Sequence, residues 1–303
     1  MTIKRGLTLL GLLLAGGLAC LFIYEPDYAG LVPPAQRTLV FAHRGFGDGG
    51  PDNSLVAAKM AMDARMDGVD VDGQLSADGQ LVIFHDLSVD RLTTGSGRVT
   101  GKTVAELRAL DLGEKFGRGF AGKAPVATFE DFVREITPRG ILMVELKATG
   151  AKASGIEEAA AAIIGKYNAH ERVFISSFNP IVLYRLKRID PKIRTVLIFM
   201  DTNWNAELLA EIPKQDLVNL PWPLRQEPIR RAIRKAIGPD ALSVNHEVDE
   251  DTLRRLRAKG WPIFLWTIDD EGRLNWALDH KPYGVISDAP GLTKQLRDRR
   301  SGA

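Results

Sequence analysis

Leu39-Val40-Phe41-Ala42-His43-Arg44-Gly45 is a short β-rich run that ends in a histidine, an arginine and a glycine. The same form recurs downstream. Val69–Gly73, Ile141–Glu145, Val173–Ser176, Val196–Phe199, Leu242–Asn245, Ile263–Trp266 and Val285–Ser287 bring the candidate strands to eight. Amphipathic helical segments lie between them, and Thr128 with Asp131 and Ser154 with Glu157 look like capping boxes. This alternation is the pattern of parallel βα units. Eight such units in about 270 residues predict an α/β fold, a TIM (β/α)8 barrel. A doubly wound open sheet is the alternative, although no glycine-rich fingerprint follows the first strand to favour it.

Two stretches break the rhythm. Gln74 to Phe84 reads as a hairpin, with Ser76-Ala77-Asp78-Gly79 as turn and Leu81–Phe84 as its second strand. An inserted segment, 86–123, follows before the rhythm resumes. A second excursion, 201–238, separates the fifth and sixth strands.

In a TIM barrel the active site sits at the C-terminal ends of the strands. Those ends carry His43-Arg44-Gly45, Asp70 and Asp72, His85-Asp86 on the hairpin, Glu145-Leu146-Lys147, Ser176-Ser177-Phe178, Trp266-Thr267-Ile268-Asp269 and Ser287-Asp288. Asp70 and Asp72 are two apart on a strand and share a face. With Glu145 they make three carboxylates at one mouth, a set that suits a hard divalent cation, Mg²⁺ or Ca²⁺. The other reading is a structural network in which Arg44 and Lys147 neutralise the acids. A metal, Arg44 and Lys147 together can stabilise the charge that develops on a phosphodiester. Two of the five histidines, His43 and His85, end consecutive elements at this mouth, as an acid–base pair would. His170, His246 and His280 read as structural.

Composition narrows the class. The 303 residues allow one large domain or two small ones, and a net charge of +2 argues against a dedicated nucleic-acid binder. The single cysteine, Cys20, excludes a disulfide framework and a multi-cysteine zinc site. Residues 1–28 stand apart: Lys4 and Arg5 precede an apolar run from Gly6 to Tyr24 that is long enough to span a bilayer. This predicts a single N-terminal membrane helix with the catalytic domain outside the cytoplasm. A cleaved signal peptide is the rival. A linker, 29–37, leads to a catalytic domain over 38–303.

Read in order, these motifs resemble the glycerophosphodiester phosphodiesterase family, in a membrane-anchored, bacterial-type form. His43-Arg44-Gly45 looks like its opening motif, and Pro51-Asp52-Asn53-Ser54 is similar to its Pro-Glu-Asn-Thr. Asp70-Val71-Asp72 falls on its Glu-x-Asp metal pair, followed by Asp78-Gly79, Val82-Ile83-Phe84-His85-Asp86 and Arg91-Leu92-Thr93-Thr94-Gly95. Glu145-Leu146-Lys147, Ser176-Ser177-Phe178, Trp266-Thr267 and Ser287-Asp288-Ala289-Pro290 complete the set. The resemblance implies a TIM barrel with a small insertion after the second strand. It implies one divalent cation, Ca²⁺ or Mg²⁺, on Asp70, Asp72 and Glu145, and hydrolysis to an alcohol and sn-glycerol 3-phosphate. His43 and His85 would be general acid and base, Arg44 and Lys147 would hold phosphate, Trp266 would pack against substrate and Asn53 would support the site. A neighbouring glycerol hydroxyl attacking phosphorus first, with water opening a cyclic phosphate, is the implied course. Asp70 and Asp52 depart from the family pattern, each standing where a Glu is usual. Asp70's shorter arm bears on which metal binds and how tightly.

Rival functions are a non-catalytic lipid- or phosphate-binding barrel and a phospholipase C-like or sphingomyelinase D-like enzyme. Segment 201–238 carries Trp204, Pro221, Trp222, Pro223, Arg225, Arg230, Arg231, Arg234 and Lys235. Such a mixture suits a membrane interface, and with it a lysophospholipid substrate and lysophospholipase D activity. An ordinary extension with a solvated basic face is the simpler reading. Oligomeric state leaves no mark in the sequence.

Overall fold

The computed structural model describes residues 17, 26–32, 35–148, 150, 152–199 and 226–301. Among them nine strands form one sheet: β1 Leu39–Ala42, β2 Gly68–Leu75, β3 Leu81–Ile83, β4 Ile141–Leu146, β5 Val173–Ser177, β6 Arg194–Phe199, β7 Ala241–Asn245, β8 Ile263–Trp266 and β9 Gly284–Ser287. Eight pair in parallel in the order β1-β2-β4-β5-β6-β7-β8-β9, and β9 pairs back onto β1. That closure makes a barrel and removes the open-sheet alternative. The exception is β3, which runs antiparallel to β2 as the far arm of the expected hairpin. It stops one residue short of the expected Phe84, whose N–H donates instead to the Asp72 carbonyl at 2.7 Å.

The helices of the described residues are α1 Leu55–Asp63, α2 Val104–Arg108, α3 Gly113–Phe116, α4 Phe129–Ile136, α5 Ile156–Lys166, α6 Pro180–Ile189, α7 Glu227–Ile237, α8 Glu250–Ala258, α9 Glu271–Asp279 and α10 Pro290–Ser301. Thr128 caps α4 through the expected box with Asp131. The box expected at Ser154 does not form. Gly155, at φ 88°, is the N-cap of α5 without a side-chain bond, and Glu157 is turned inward, 1% exposed and 3.5 Å from Arg185. A carboxylate engaged with a cation in the interior is not free to cap.

The alternation of each strand splits the core in two. Phe41, Met143, Phe174, Val196, Ala241, Phe264 and Ile286 fill the barrel lumen. Val40, Ala42, Val69, Val71, Leu142, Val144, Val173, Ile175, Leu242 and Val285 face the helices. Gly68 makes room in the lumen, since a Cβ there would lie 2.5 Å from the Phe41 ring. The insertion after β3 adds a third cluster, in which Val89, Val99, Leu107 and Leu112 pack on Val82 and Phe84.

The anchor expected over 1–28 and Trp204, Pro221, Trp222, Pro223 and Arg225 lie outside the described residues, Gly17 and residues 26–28 excepted. No helix among the described residues is long and apolar enough to cross a membrane. In the remainder of 201–238 the solvated basic face is corrected. Arg230 and Arg234 of α7 are buried, their guanidinium groups lie over the Phe199 ring, and both pair with Glu227. A guanidinium is weakly hydrated and stacks on aromatic faces, so this helix turns part of its charge inward.

Candidate active site

Register places the site. Phe41 faces the lumen, so two residues on His43 does too, and Asp70 and Asp72 follow Gly68 by the same alternation. Asp72 lies opposite Glu145, and Glu145 opposite Ser176. Asp70 lies opposite Met143, itself opposite Phe174. The two acids therefore share a face but not a layer, and Asp70 sits roughly 6–7 Å deeper along the strand. Its surroundings show in its acidity. Burial, with the charges of Asp72 and Glu145, pushes the Asp70 carboxyl up to about 8, against the pull of His43 and Lys147.

Asp72 behaves oppositely. Burial would raise it, but Lys147 and Arg44 hold it well below the usual carboxylate range. Asn53 grips it from both ends: Asn53 Nδ2 donates to Asp72 Oδ2 at 3.0 Å, and the Asp72 N–H donates to Asn53 Oδ1 at 2.8 Å. Asn53 holds that place in the left-handed region at φ 58°, an uncommon state for a residue with a Cβ. Lys147 Nζ stands 3.2 Å from Asp72 and 3.3 Å from Glu145. Burial raises Glu145, with Lys147 opposing and Asp72 reinforcing the shift.

Each histidine is held by a carboxylate. His43 Nδ1–H donates to Asp288 Oδ1 at 2.7 Å. Burial alone would lower the His43 pKa; the bond and charge of Asp288 reverse this and raise it above 6.5. His85 Nδ1–H donates to Asp86 Oδ1 at 2.8 Å, and Arg91 clamps Asp86 with two bonds of 2.7 and 2.8 Å. The opposite nitrogen, His85 Nε2, accepts from Arg44 Nη2 at 3.0 Å. Arg44 also donates to Asp52 Oδ2 at 3.1 Å, from a backbone at φ 49°. Opposite these groups the Trp266 ring meets Phe178 edge-to-face at 6.1 Å. Trp266 Nε1 and Ser176 Oγ are buried there with no hydrogen-bond partner.

The expected residues thus meet at one mouth, and the ion pairs of the structural-network reading are present there. Lys147 pairs with Asp72 and Glu145, as in the structural network, while burial favours the neutral form of Asp70. Among the described residues no three His, Cys, Asp or Glu side chains stand close enough to form a ready metal cage. In chemistry the set still fits a divalent cation: the donors are carboxylate oxygens, and a cation beside Asp70 would offset the burial and the like charges of Asp72 and Glu145 that raise it. Of the other histidines, His170 pairs with Asp190 at 2.8 Å and His280 Nδ1–H donates to the Trp276 carbonyl. His246 is lowered by burial and then by Arg273, and its buried Nδ1 has no partner. Sequence reasoning quoted Asp86, Arg91 and Asp288 within motifs but gave them no role, and gave none to Gln74. For Asp86 and Gln74 the available signal was position, directly after His85 and two residues along from Asp72.

The family pattern of glycerophosphoryl diester phosphodiesterases matches residues 43–292. A glycerophosphodiester phosphodiesterase from Caldanaerobacter subterraneus subsp. tengcongensis is 33% identical over 258 residues, covering 84% of this chain and 96% of that protein. One from Bacillus altitudinis is 32% identical, covering 86% and 98%. The structure of an Oleispira antarctica phosphodiesterase in complex with the product sn-glycerol-3-phosphate superposes with a TM-score of 0.68 at 24% identity, over 86% of this chain and 97% of that one. At that identity the last likeness speaks for the fold. The sequence matches span the same strand ends that carry the histidines, acids and cations of the mouth, and the chain belongs to the glycerophosphoryl diester phosphodiesterase family and is a phosphoric diester hydrolase.

Proposed function

We propose that the enzyme hydrolyses glycerophosphodiesters to an alcohol and sn-glycerol 3-phosphate, with His85 as general base and His43 as general acid. The observation that carries this is the pair of oriented imidazoles. Asp288 favours the protonated form of His43, while Arg44 bonds the unprotonated Nε2 of His85. His85 takes the proton of the attacking oxygen, the P–O bond to the alcohol breaks, and His43 returns a proton to the leaving oxygen. Arg44 and Lys147 bear on the phosphoryl oxygens, and Trp266 packs against the substrate. One divalent cation, Mg²⁺ or Ca²⁺, would be held by Asp70, Asp72 and Glu145. When bound it supplies further positive charge to the phosphoryl group. The product complex of the Oleispira antarctica phosphodiesterase supports the product assignment. The buried state of Arg230 and Arg234 weakens the lysophospholipase D alternative. Residues 1–28 would anchor the enzyme with its barrel outside the cytoplasm, which protease access to intact and opened cells checks.

The test is a panel of glycerophosphocholine, glycerophosphoglycerol and lysophosphatidylcholine, each with Mg²⁺, Ca²⁺ or chelator. Glycerol 3-phosphate should appear from the first two and only with metal. Full turnover in chelator removes the metal from the proposal, and no glycerol 3-phosphate from any substrate overturns the function.

A further inference from the structure

We propose that Gln74 is a positioning residue for His85, acting through the backbone of residues 84–86 without touching the reacting groups. The inference rests on His85 being the general base.

Gln74 follows Asp72 by two residues on β2 and so shares its face. It is 2% exposed. Its Nε2 lies 2.8 Å from the Phe84 carbonyl oxygen, 3.1 Å from that of His85 and 2.7 Å from that of Asp86. Carbonyls only accept, so the amide nitrogen, not its oxygen, faces them. Three successive carbonyls aimed at one point is an arrangement neither a strand nor a helix produces. Their negative ends repel one another unless a donor stands at the focus. Gln74 is that donor, with two N–H groups shared among three oxygens.

His85 is the middle residue of the three. Its backbone is thereby set by Gln74, and its ring rotation by Asp86, which Arg91 holds in turn. The Phe84 N–H also donates to the Asp72 carbonyl. The base is thus tied to the strand that carries Asp72 and faces Glu145 and Lys147. The spacing between His85 and the acid cluster is built into one strand, two residues apart.

Three substitutions test this. Gln74→Met keeps the length and removes the donor. Gln74→Glu sets an acceptor against three acceptors. Gln74→Lys supplies an ammonium with three N–H groups for the three carbonyls. Misplacement of a catalytic group by about 1 Å costs on the order of 100-fold in rate. The Met and Glu variants should therefore lose about 30- to 100-fold in kcat, with KM within about threefold, while Lys recovers part of the loss. In protein labelled with ¹⁵N at histidine, the His85 ring signals should move in the Met and Glu variants and those of His43 should not. His85→Asn is the control. If His85→Asn remains active, the assignment of His85 as base fails. If His85→Asn is inactive and the Met and Glu variants keep wild-type kcat, the inference about Gln74 fails alone. A kcat loss in which both histidines shift, or neither does, shows a general structural role and overturns it as well.

Discussion

His43 and Asp288 lie 245 residues apart, yet the closing pair of the barrel brings them to 2.7 Å. His43 was legible because its motif is local. Asp288 was not legible as its partner: a closed barrel sets the last strand beside the first, but the pattern does not say which side chain at that strand end meets His43. The same holds for Asp70. The two-residue spacing with Asp72 gives its face, but its depth depends on pairing with Met143, a residue that belongs to no motif. The His43–Asp288 pair yields a prediction with a definite sign. The folded state raises the His43 pKa, so the stability it contributes is complete below 6.5 and is lost as pH rises through the folded value. As the general acid, His43 must carry its proton, so the alkaline limb of kcat/KM against pH follows that folded value. Asp288→Asn should move this limb to lower pH and cut kcat on the order of 10- to 100-fold, measured with glycerophosphoglycerol across pH 5–10. An unmoved alkaline limb would deny His43 the role of acid.

The elements were read closely where local chemistry dictates them. All eight barrel strands appear within two residues of expectation at either end, because short β-rich runs between amphipathic segments leave few alternatives. The failures came where a side chain had two possible partners, as with Glu157 and the arginines of α7. Loops at the mouth depend on contacts the pattern does not show, and Gly47 is the clearest. It opens a one-turn 3-10 helix, Gly47–Gly49, at φ 54°, and a Cβ there would lie 2.0 Å from the Asp288 carbonyl oxygen. The Asp48 N–H donates to that same carbonyl at 2.9 Å. This turn is the brace that sets Asp288 against His43. Gly47→Ala should displace the brace, cost about 1–3 kcal/mol in urea unfolding and lower kcat at least about 10-fold. Gly79, at φ 75° in the β2–β3 turn with open space around it, is the comparison. Gly79→Ala should cost about 1–2 kcal/mol of backbone strain and leave kcat unchanged. Equal kcat in the two variants would separate the brace from catalysis. Thr128→Ala, which removes the cap of α4, should likewise cost about 1 kcal/mol without affecting turnover.

At the scale of the molecule the barrel divides its tasks between its ends. The C-terminal end holds the histidines and acids, and the opposite end holds a charge cluster that closes the fold. Arg297 of α10, 1% exposed, donates from Nη1 to Asp67 Oδ2 at 2.5 Å and to the Thr38 carbonyl at 3.1 Å. Asp67 Oδ2 also accepts from the Val40 N–H at 2.8 Å, and Asp67 Oδ1 from Arg37 at 2.9 Å. The Ile141 N–H donates to the Asp67 carbonyl. Asp67 and Arg297 therefore join the last helix to the starts of β1, β2 and β4, across the seam where the ring of strands closes. Removing one partner of a buried ion pair leaves the other charge stranded, which costs roughly 3–5 kcal/mol. Arg37 still faces Asp67 after such a change, so the lower end of that range applies. Arg297→Met keeps most of the side-chain volume and should lower stability by about 3 kcal/mol. Because this end is remote from the chemistry, kcat and KM measured well below the unfolding transition should stay at wild-type values. Asp288→Asn should show the reverse, losing turnover with little change in the urea midpoint at a pH above the folded His43 value. A large kcat loss in folded Arg297→Met would mean that the seam sets the geometry of the mouth, since β1 and β2 carry His43, Asp70 and Asp72 away from it.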